Sequence, residues 1–426
     1  MSNYYYECSS CGMQFTANEI EDDLHYLCPL CGKAEKNKPL TGVLKVLYDY
    51  KSISKELRKD DFLNLVPGKF WTYPQLLPLV YNTKGSSRSL KGISESKLNY
   101  VRTSSEPVLK CNFNGNELLV FDDTANPTLS YKDRASVLVA AKAIQLGIKE
   151  ISAASTGNAG SSLAGICARL GLKSHIFVPE KIPLGKRMQI QAFGAELYLV
   201  KSDYDHVFDL CLDVSIAKGW YNRNTAYNPL TIEGKKSSVF DMFINLGGKL
   251  PEYIIVSVGD GVIISGIYKG LFELKQLGWI KKMPKLIAVQ AKGSNALVRY
   301  LKNKKFSYKP AETIADSINA GAPRNLYMAA EAVENSGGLA IEVSDAEILN
   351  AQKKSAVELG LLVEPAASAS FAGYLKLLKE GVINPKSKVI LMFTGNGLKD
   401  PGSVSKWNVE PKALSPEQWA SKLIED

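Results

Sequence analysis

Apolar residues recur along this chain in two alternating patterns. Short apolar runs bounded by turn residues predict strands: "EISAAS", "KSHIFVPE", "AELYLVKS", "PEYIIVSVG", "KLIAVQA" and "KVILMF". Between them lie longer segments with apolar residues at helical spacing, among them "NAGSSLAGICARLGL", "LGKRMQIQAFG", "YDHVFDLCLDVSIAKG" and "VIISGIYKGLFELKQLG". "DAEILNAQKKSAVELG" and "ASASFAGYLKLLKEG" predict two further helices late in the chain. Val137, Leu138, Ala141 and Ile144 put another helix between Lys132 and Gly147. "PVLKCNFNGNELLVFDD" predicts a hairpin with Asn-Gly as its turn. Regular alternation of apolar strands and helices predicts an α/β fold with parallel sheets covered by helices. Ligands in such sheets bind beyond the carboxyl ends of the strands, so the strand-to-helix turns are where chemistry is expected.

Composition narrows the class. The chain has 426 residues, 45% of them hydrophobic, enough for a sizeable core. "MSNYYYECSS" has neither the basic nor the apolar region of a secretory signal, and no apolar run reaches the ~20 residues of a spanning helix. A cytoplasmic enzyme is expected. Lys and Arg (52) exceed Asp and Glu (43), but the excess is scattered in clusters such as "KNKK" (302–305), as on a solvated face.

Four of the seven cysteines cluster at the start, in "CSSCGM" and "CPLCGK". Two Cys-x-x-Cys-Gly turns can close a tetrahedral four-thiolate zinc site on Cys8, Cys11, Cys28 and Cys31. With all four positions taken by cysteine, the zinc is expected to be structural, and His25 a loop residue. A zinc ribbon can also bind nucleic acid, but "NEIEDD" gives this one the wrong charge for phosphate. Cys111, Cys167 and Cys211 read as buried small residues.

Four turns carry candidate chemistry. Lys132 stands at a helix start, where the positive end of the dipole disfavours an ammonium and favours the neutral amine of Schiff-base chemistry. "STGNAGSS" (155–162) opens a helix with backbone N–H groups suited to a carboxylate. "VGDGVIISG" (258–266) has glycines that let a phosphate approach the backbone, with Ile264 where a dinucleotide fingerprint would need glycine. "FTGNGLKDP" (393–401) offers a neutral hydroxyl, Thr394. Together these suit pyridoxal phosphate and an amino-acid substrate.

From about Trp71 to Pro401 the chain resembles threonine synthase and its fold-type II (tryptophan synthase β-like) relatives. "NPTLSYKDRAS" resembles the family's Asn-Pro-Thr-Gly-Ser-Phe-Lys-Asp-Arg-Gly motif and "STGNAG" its asparagine loop. "TIADSI", "PRN", "VEPAASAS" and "TGNGLKDP" resemble its C-terminal signatures, and some members carry an N-terminal four-cysteine ribbon. The resemblance implies two parallel-sheet domains with the active site between them. The expected division is a ribbon at 1–35 and a linker and extension at 36–105, with one short strand in "GVLKVLYDY". A large cofactor domain would comprise 106–134 and 250–410, a small α/β domain 135–249, and a tail 411–426. Lys132 would bind the cofactor's aldehyde and take the substrate's α-proton. Asn158 would meet the ring hydroxyl, and Gly259, Asp260, Gly261, Val262 and Ile263 the cofactor phosphate. Thr394 would sit at the pyridine nitrogen, where a neutral hydroxyl favours elimination and replacement over transamination. Ser155 and Thr156 would help bind the substrate carboxylate. A small phosphorylated amino acid is the expected partner; no membrane or nucleic-acid partner is expected, and a homodimer is compatible.

The chain departs from the family pattern at several positions. Leu129 replaces a glycine, and "LKGISESKL" stands near the place of the Gly-Glu-Gly-x-Thr-Pro-Leu entry motif. Ala159, Ala226 and Thr231 occupy positions that usually supply two hydroxyls and an arginine to the substrate's phosphate. Lys235, Lys236 and Arg187 are candidate replacements. Three reactions therefore stay open. They are phosphate elimination from homoserine phosphate to give threonine, β-replacement as in cysteate synthase (phosphoserine plus sulfite), and dehydration of serine or threonine.

Overall fold

The computed structural model describes residues 3–82, 89–155 and 157–424. Strands β1 (Tyr4–Cys8), β2 (Gln14–Thr16) and β3 (Leu44–Tyr48) form an antiparallel sheet in the order β2-β1-β3. The strand expected in a linker is thus the third strand of the N-terminal sheet, with Tyr4 opposite Tyr48 and Cys8 opposite Leu44. Its buried-intermediate alternation is legible locally; a partner forty residues earlier is not.

A short ladder of β4 (Tyr81–Asn82) and β5 (Ser89–Leu90) precedes the main body. The hairpin follows as expected, with β6 (Val108–Phe113) and β7 (Asn116–Asp122) joined through Asn114 and Gly115, both at positive φ. Next come β8 (Glu150–Ala154), β9 (Lys173–Pro179), β10 (Glu196–Val200) and β11 (Tyr221–Asn222), an all-parallel sheet in the order β10-β9-β8-β11. The last four are β12 (Tyr253–Ser257), β13 (Lys285–Ala291), β14 (Leu339–Val343) and β15 (Val389–Phe393). They complete a six-stranded sheet ordered β14-β13-β12-β15-β7-β6, parallel except for the edge strand β6. The expected helices form close to their predicted limits, including Asp133–Gln145, Asn158–Leu170 and Val262–Gln276.

A helix that the apolar periodicity did not reveal, Leu230–Asn245, runs through the middle. It packs on both Val262–Gln276 and Asp133–Gln145, and every residue from Leu230 to Phe243 is buried. Lys236 and Glu233 are neutralised inside. Lys236 Nζ lies 2.5 Å from Glu233 and 3.0 Å from Glu273, and Tyr48 of β3 donates to Glu233 at 2.7 Å. The N-terminal sheet is further tied down by Lys142, which reaches both oxygens of Glu21 at 3.0 Å.

In that sheet the four thiols of Cys8, Cys11, Cys28 and Cys31 lie within 4.8 Å of one another. Cys8–Cys31 and Cys11–Cys28 sulfur separations are 3.4 and 3.8 Å, and none is in a disulfide. A tetrahedron with Zn–S of ~2.3 Å has edges of about 3.8 Å. His25 is not in the cluster. Among the described residues, no helix is long and apolar enough to cross a membrane.

Candidate active site

Two adjoining chambers open beyond the carboxyl ends of β8, β12 and β15. One is lined by the Gly259–Ile264 turn, Thr394, Ala366 and Lys235; the other by Ser155, Asn158, Ala159 and Tyr204. Lys132, Thr225, Gly259, Asp260, Ser317 and Ile318 face both. Thus Lys132, Asn158, the glycine turn, Thr394 and Ser155, far apart in sequence, are brought together. Thr156 lies outside the described residues. A roomier cavity lies elsewhere, against Leu44, Val46 and Phe272, but gathers none of these groups.

Lys132 caps the helix Asp133–Gln145 at its N-terminal end. Its loop is fastened to the loop after β15: Tyr131 N–H donates to Thr394 O at 2.9 Å, and Asn396 N–H to Leu129 O at 3.1 Å. The amine and the Thr394 hydroxyl are therefore positioned by one backbone clasp. Leu129 has φ +65°, which explains the pattern's glycine there and costs about 1–2 kcal/mol in an L-residue. Burial drives the Lys132 ammonium down to about 8; Glu364 and Asp260 oppose this, and Arg223 and Lys186 reinforce it. A larger fraction of neutral amine at physiological pH results.

Asn158 begins the helix Asn158–Leu170, and its Nδ2 donates to Glu364 Oε1 at 2.6 Å and Ser317 Oγ at 2.9 Å. Those bonds fix the amide so that its Oδ1, buried and without a partner among the described residues, is left for a donor. Ser155 Oγ accepts from the N–H groups of Gly157 and Gly160, both at 2.9 Å, which leaves its own proton free to donate.

The glycine turn forms a cradle held in place by packing too close for side chains. A Cβ on Gly259 would come within 2.7 Å of Ile318 Cα, and one on Gly261, at φ +86°, within 2.7 Å of the Ala329 Cβ. The helix Val262–Gln276 starts there, so its first N–H groups face the cradle, as an anion requires. The Asp260 carboxylate is not free for this; it accepts from Arg324 N–H at 3.1 Å and Tyr204 OH at 3.0 Å. Cradle, orphaned Asn158 oxygen, depressed lysine and Thr394 hydroxyl fit the phosphate, ring hydroxyl, aldehyde and ring nitrogen of pyridoxal phosphate.

The family profile described as pyridoxal-phosphate dependent enzyme matches residues 104–395. The chain is 34% identical to the threonine synthase of Methanocaldococcus jannaschii over 98% of both chains. It is 33% identical to that of Methanosarcina acetivorans over 96% of both. The chain belongs to the threonine synthase family of pyridoxal-phosphate dependent enzymes. A third threonine synthase, from Halalkalibacterium halodurans, is 38% identical over 70% of this chain and 82% of its own. The fold of this threonine synthase family member recurs in solved structures at low identity. These include O-ureido-L-serine synthase (TM-score 0.62, 15% identity, 77% of this chain and 99% of that one) and maize serine racemase (0.59, 17%, 75% and 92%).

Sequence reading assigned no role to several site residues. Glu364 was within a quoted signature, yet only the fold shows it buried under Asn158 and 3.5 Å from Lys186. Lys186 also reaches Asp316 at 2.9 Å, linking the helix Leu184–Ala192 to the segment facing it across the cleft. Of the three candidate replacement cations, Lys235 lines the cavity. Lys236 is consumed by Glu233 and Glu273. Arg187 lies outside the cavity lining. Thr231 is committed too: it donates to Asn228 O at 2.7 Å and accepts from Ala226 N–H at 3.2 Å.

Proposed function

We propose that this enzyme eliminates phosphate from a phosphorylated amino acid, with homoserine phosphate converted to threonine as the first assignment. The observation that carries the reading is the convergence of Lys132, Asn158, the Gly259–Gly261 cradle and Thr394 on one cavity, in a chain related end to end to threonine synthases. Bound pyridoxal phosphate supplies an electron sink at the substrate's α-carbon. Lys132 moves the α-proton, its amine kept partly neutral by burial. Asn158 Oδ1 takes the ring hydroxyl, and Gly259, Asp260, Gly261, Val262 and Ile263 offer the phosphate their backbone. Thr394 meets the ring nitrogen as a neutral partner. Ser155 and Thr156 orient the substrate carboxylate.

The absence of the hydroxyls at Ala159 and Ala226 and of the guanidinium at Thr231 favours a second reading, β-replacement on phosphoserine with an external nucleophile such as sulfite. Phosphate release and amino-acid products should be measured on homoserine phosphate, and on phosphoserine with and without sulfite. Threonine from the first supports the primary assignment. Inertness there, with a sulfite-dependent product from phosphoserine, replaces it with the second.

The expected domain division assigns β8–β11 to the small unit and β6–β7 with β12–β15 to the cofactor unit, which the two separate sheets support. Cys8, Cys11, Cys28 and Cys31 are proposed to hold one structural zinc. Cys28→Ser is expected to lower metal content from about one equivalent to near zero and to loosen the N-terminal sheet. Elemental analysis with hydrogen exchange checks this; full zinc retention in the variant would refute it.

A further inference from the structure

Two buried cations, Lys235 in the cavity wall and Arg223 behind it, have no counter-ion among the described residues. Arg223 and Lys235 are each 0% exposed. Arg223 follows directly on β11, its N–H bonded to Ser152 O at 2.8 Å. Its guanidinium makes two long contacts, Nε to Ser136 Oγ at 3.3 Å and Nη1 to Thr225 Oγ1 at 3.5 Å. Among the described residues its Nη2 has no partner, and neither has Lys235 Nζ. The other two buried arginines are treated differently by the fold. Arg134 is held by Asp123 and Asp241 at 2.6 and 2.5 Å, and Arg324 by Asp205 and Asp209 at 3.3 and 3.4 Å.

The carboxylates whose charge bears on the unpaired cations are already engaged. Asp260 accepts from Arg324 N–H and Tyr204 OH, and Asp133 accepts from the Thr128 N–H at 2.7 Å and from its hydroxyl. Burial depresses both cations, Arg223 to about 10 and Lys235 well below its usual range, and the charge of Arg223 lowers Lys235 further. A charge left unpaired in a protein interior is unfavourable unless an anion arrives. The place is specific. Lys235 lines the chamber of the glycine cradle, and Thr225, the contact of Arg223, faces both chambers. Lys235 also stands one helical turn after Thr231, on the same face of Leu230–Asn245.

We infer that Arg223 and Lys235 together form the binding point for the phosphate of the amino-acid substrate, and so determine its specificity for a phosphorylated side chain. The inference rests on the proposed function. The cradle's N–H groups serve the cofactor's phosphate, while the cation pair holds a second phosphate beside Lys132. A guanidinium presents a planar edge to phosphate oxygens and the ammonium a point charge, so both contribute.

The test uses the holoenzyme and inorganic phosphate, with binding followed by calorimetry and cofactor content by visible absorbance. Wild type is expected to bind phosphate. R223M and K235M should raise its Kd by at least about tenfold at unchanged cofactor content, and R223K should recover most of the affinity. Wild-type holoenzyme that binds no phosphate at millimolar concentration overturns the inference without any variant. So does unchanged phosphate affinity in folded K235M, the variant that loses no hydrogen bond. Loss of cofactor from R223M or K235M, with phosphate affinity retained, assigns the cations to the cofactor's phosphate and likewise overturns it. A wild-type chain that takes up no pyridoxal phosphate overturns the functional reading instead, before any phosphate is added.

Discussion

Lys132→Ala is expected to lower turnover by at least about 10³-fold and to remove the visible absorbance that the cofactor acquires on covalent attachment. The physical reason is that the proposed mechanism makes Lys132 both the attachment point and the proton carrier, and the described residues of the cavity offer no substitute at that turn. Lys235 lines the same chamber, but it stands on the helix Leu230–Asn245 and not at the turn clasped to Thr394. Lys399 is buried and its ammonium lowered to about 8, but it is bonded to Thr128 O and Ser161 Oγ, both at 3.0 Å. The variant should keep its fold. The loop is held by backbone bonds from Tyr131 to Thr394 and from Asn396 to Leu129, which the side-chain truncation leaves alone. Absorbance spectra and phosphate release, run with a thermal melt, check this. A folded variant that retains either the band or more than a tenth of the turnover would remove Lys132 from the mechanism.

The second large effect concerns stability. Arg134, two residues after Lys132, is 4% exposed. It donates to Asp123 through Nε and Nη2 at 2.6 and 2.9 Å, and to Asp241 and Ser237 through Nη1 at 2.5 and 3.0 Å. Asp241 in turn accepts from Gly68 N–H at 2.9 Å. One guanidinium therefore joins the end of β7, the catalytic helix and the buried helix Leu230–Asn245. Arg134→Met leaves two carboxylates buried without a cation. A loss of about 3–5 kcal/mol is expected, seen as a lower urea midpoint for the cofactor-bound protein. Asp123→Asn should cost less, since Asp241 still balances the charge. An Arg134→Met midpoint equal to that of wild type would show that the network carries no such weight.

Much of the site was legible because its chemistry sits in short, contiguous turns. The lysine turn, the asparagine loop, the glycine turn and the threonine turn each announce a strand end followed by a helix start. Glu364 was less legible, although its signature was quoted. A glutamate before a proline reads as an exposed helix start, and only the packing of Asn158, Ser317 and Gly395 around it makes it a buried acceptor. The choice among Lys235, Lys236 and Arg187 was not legible either. Lys235 and Lys236 are adjacent in sequence but lie about 100° apart around a helix. One faces the cavity and the other a pair of glutamates.

The sequence by itself determined the α/β alternation, the hairpin, the four-cysteine cluster and the turns that line the candidate site. These follow from local periodicity and from residue types whose reactivity does not depend on distant neighbours. Tertiary structure alone decided the partner of β3, the course of Leu230–Asn245 and the fate of its charges. A helix buried on every side has no polar face to mark its period, and its lysines and acidic residues read as solvent-exposed until their partners are known. The same reason kept Arg223 out of view. Whether a buried cation is neutralised by the fold or left for a ligand depends on which carboxylates other parts of the chain bring to it.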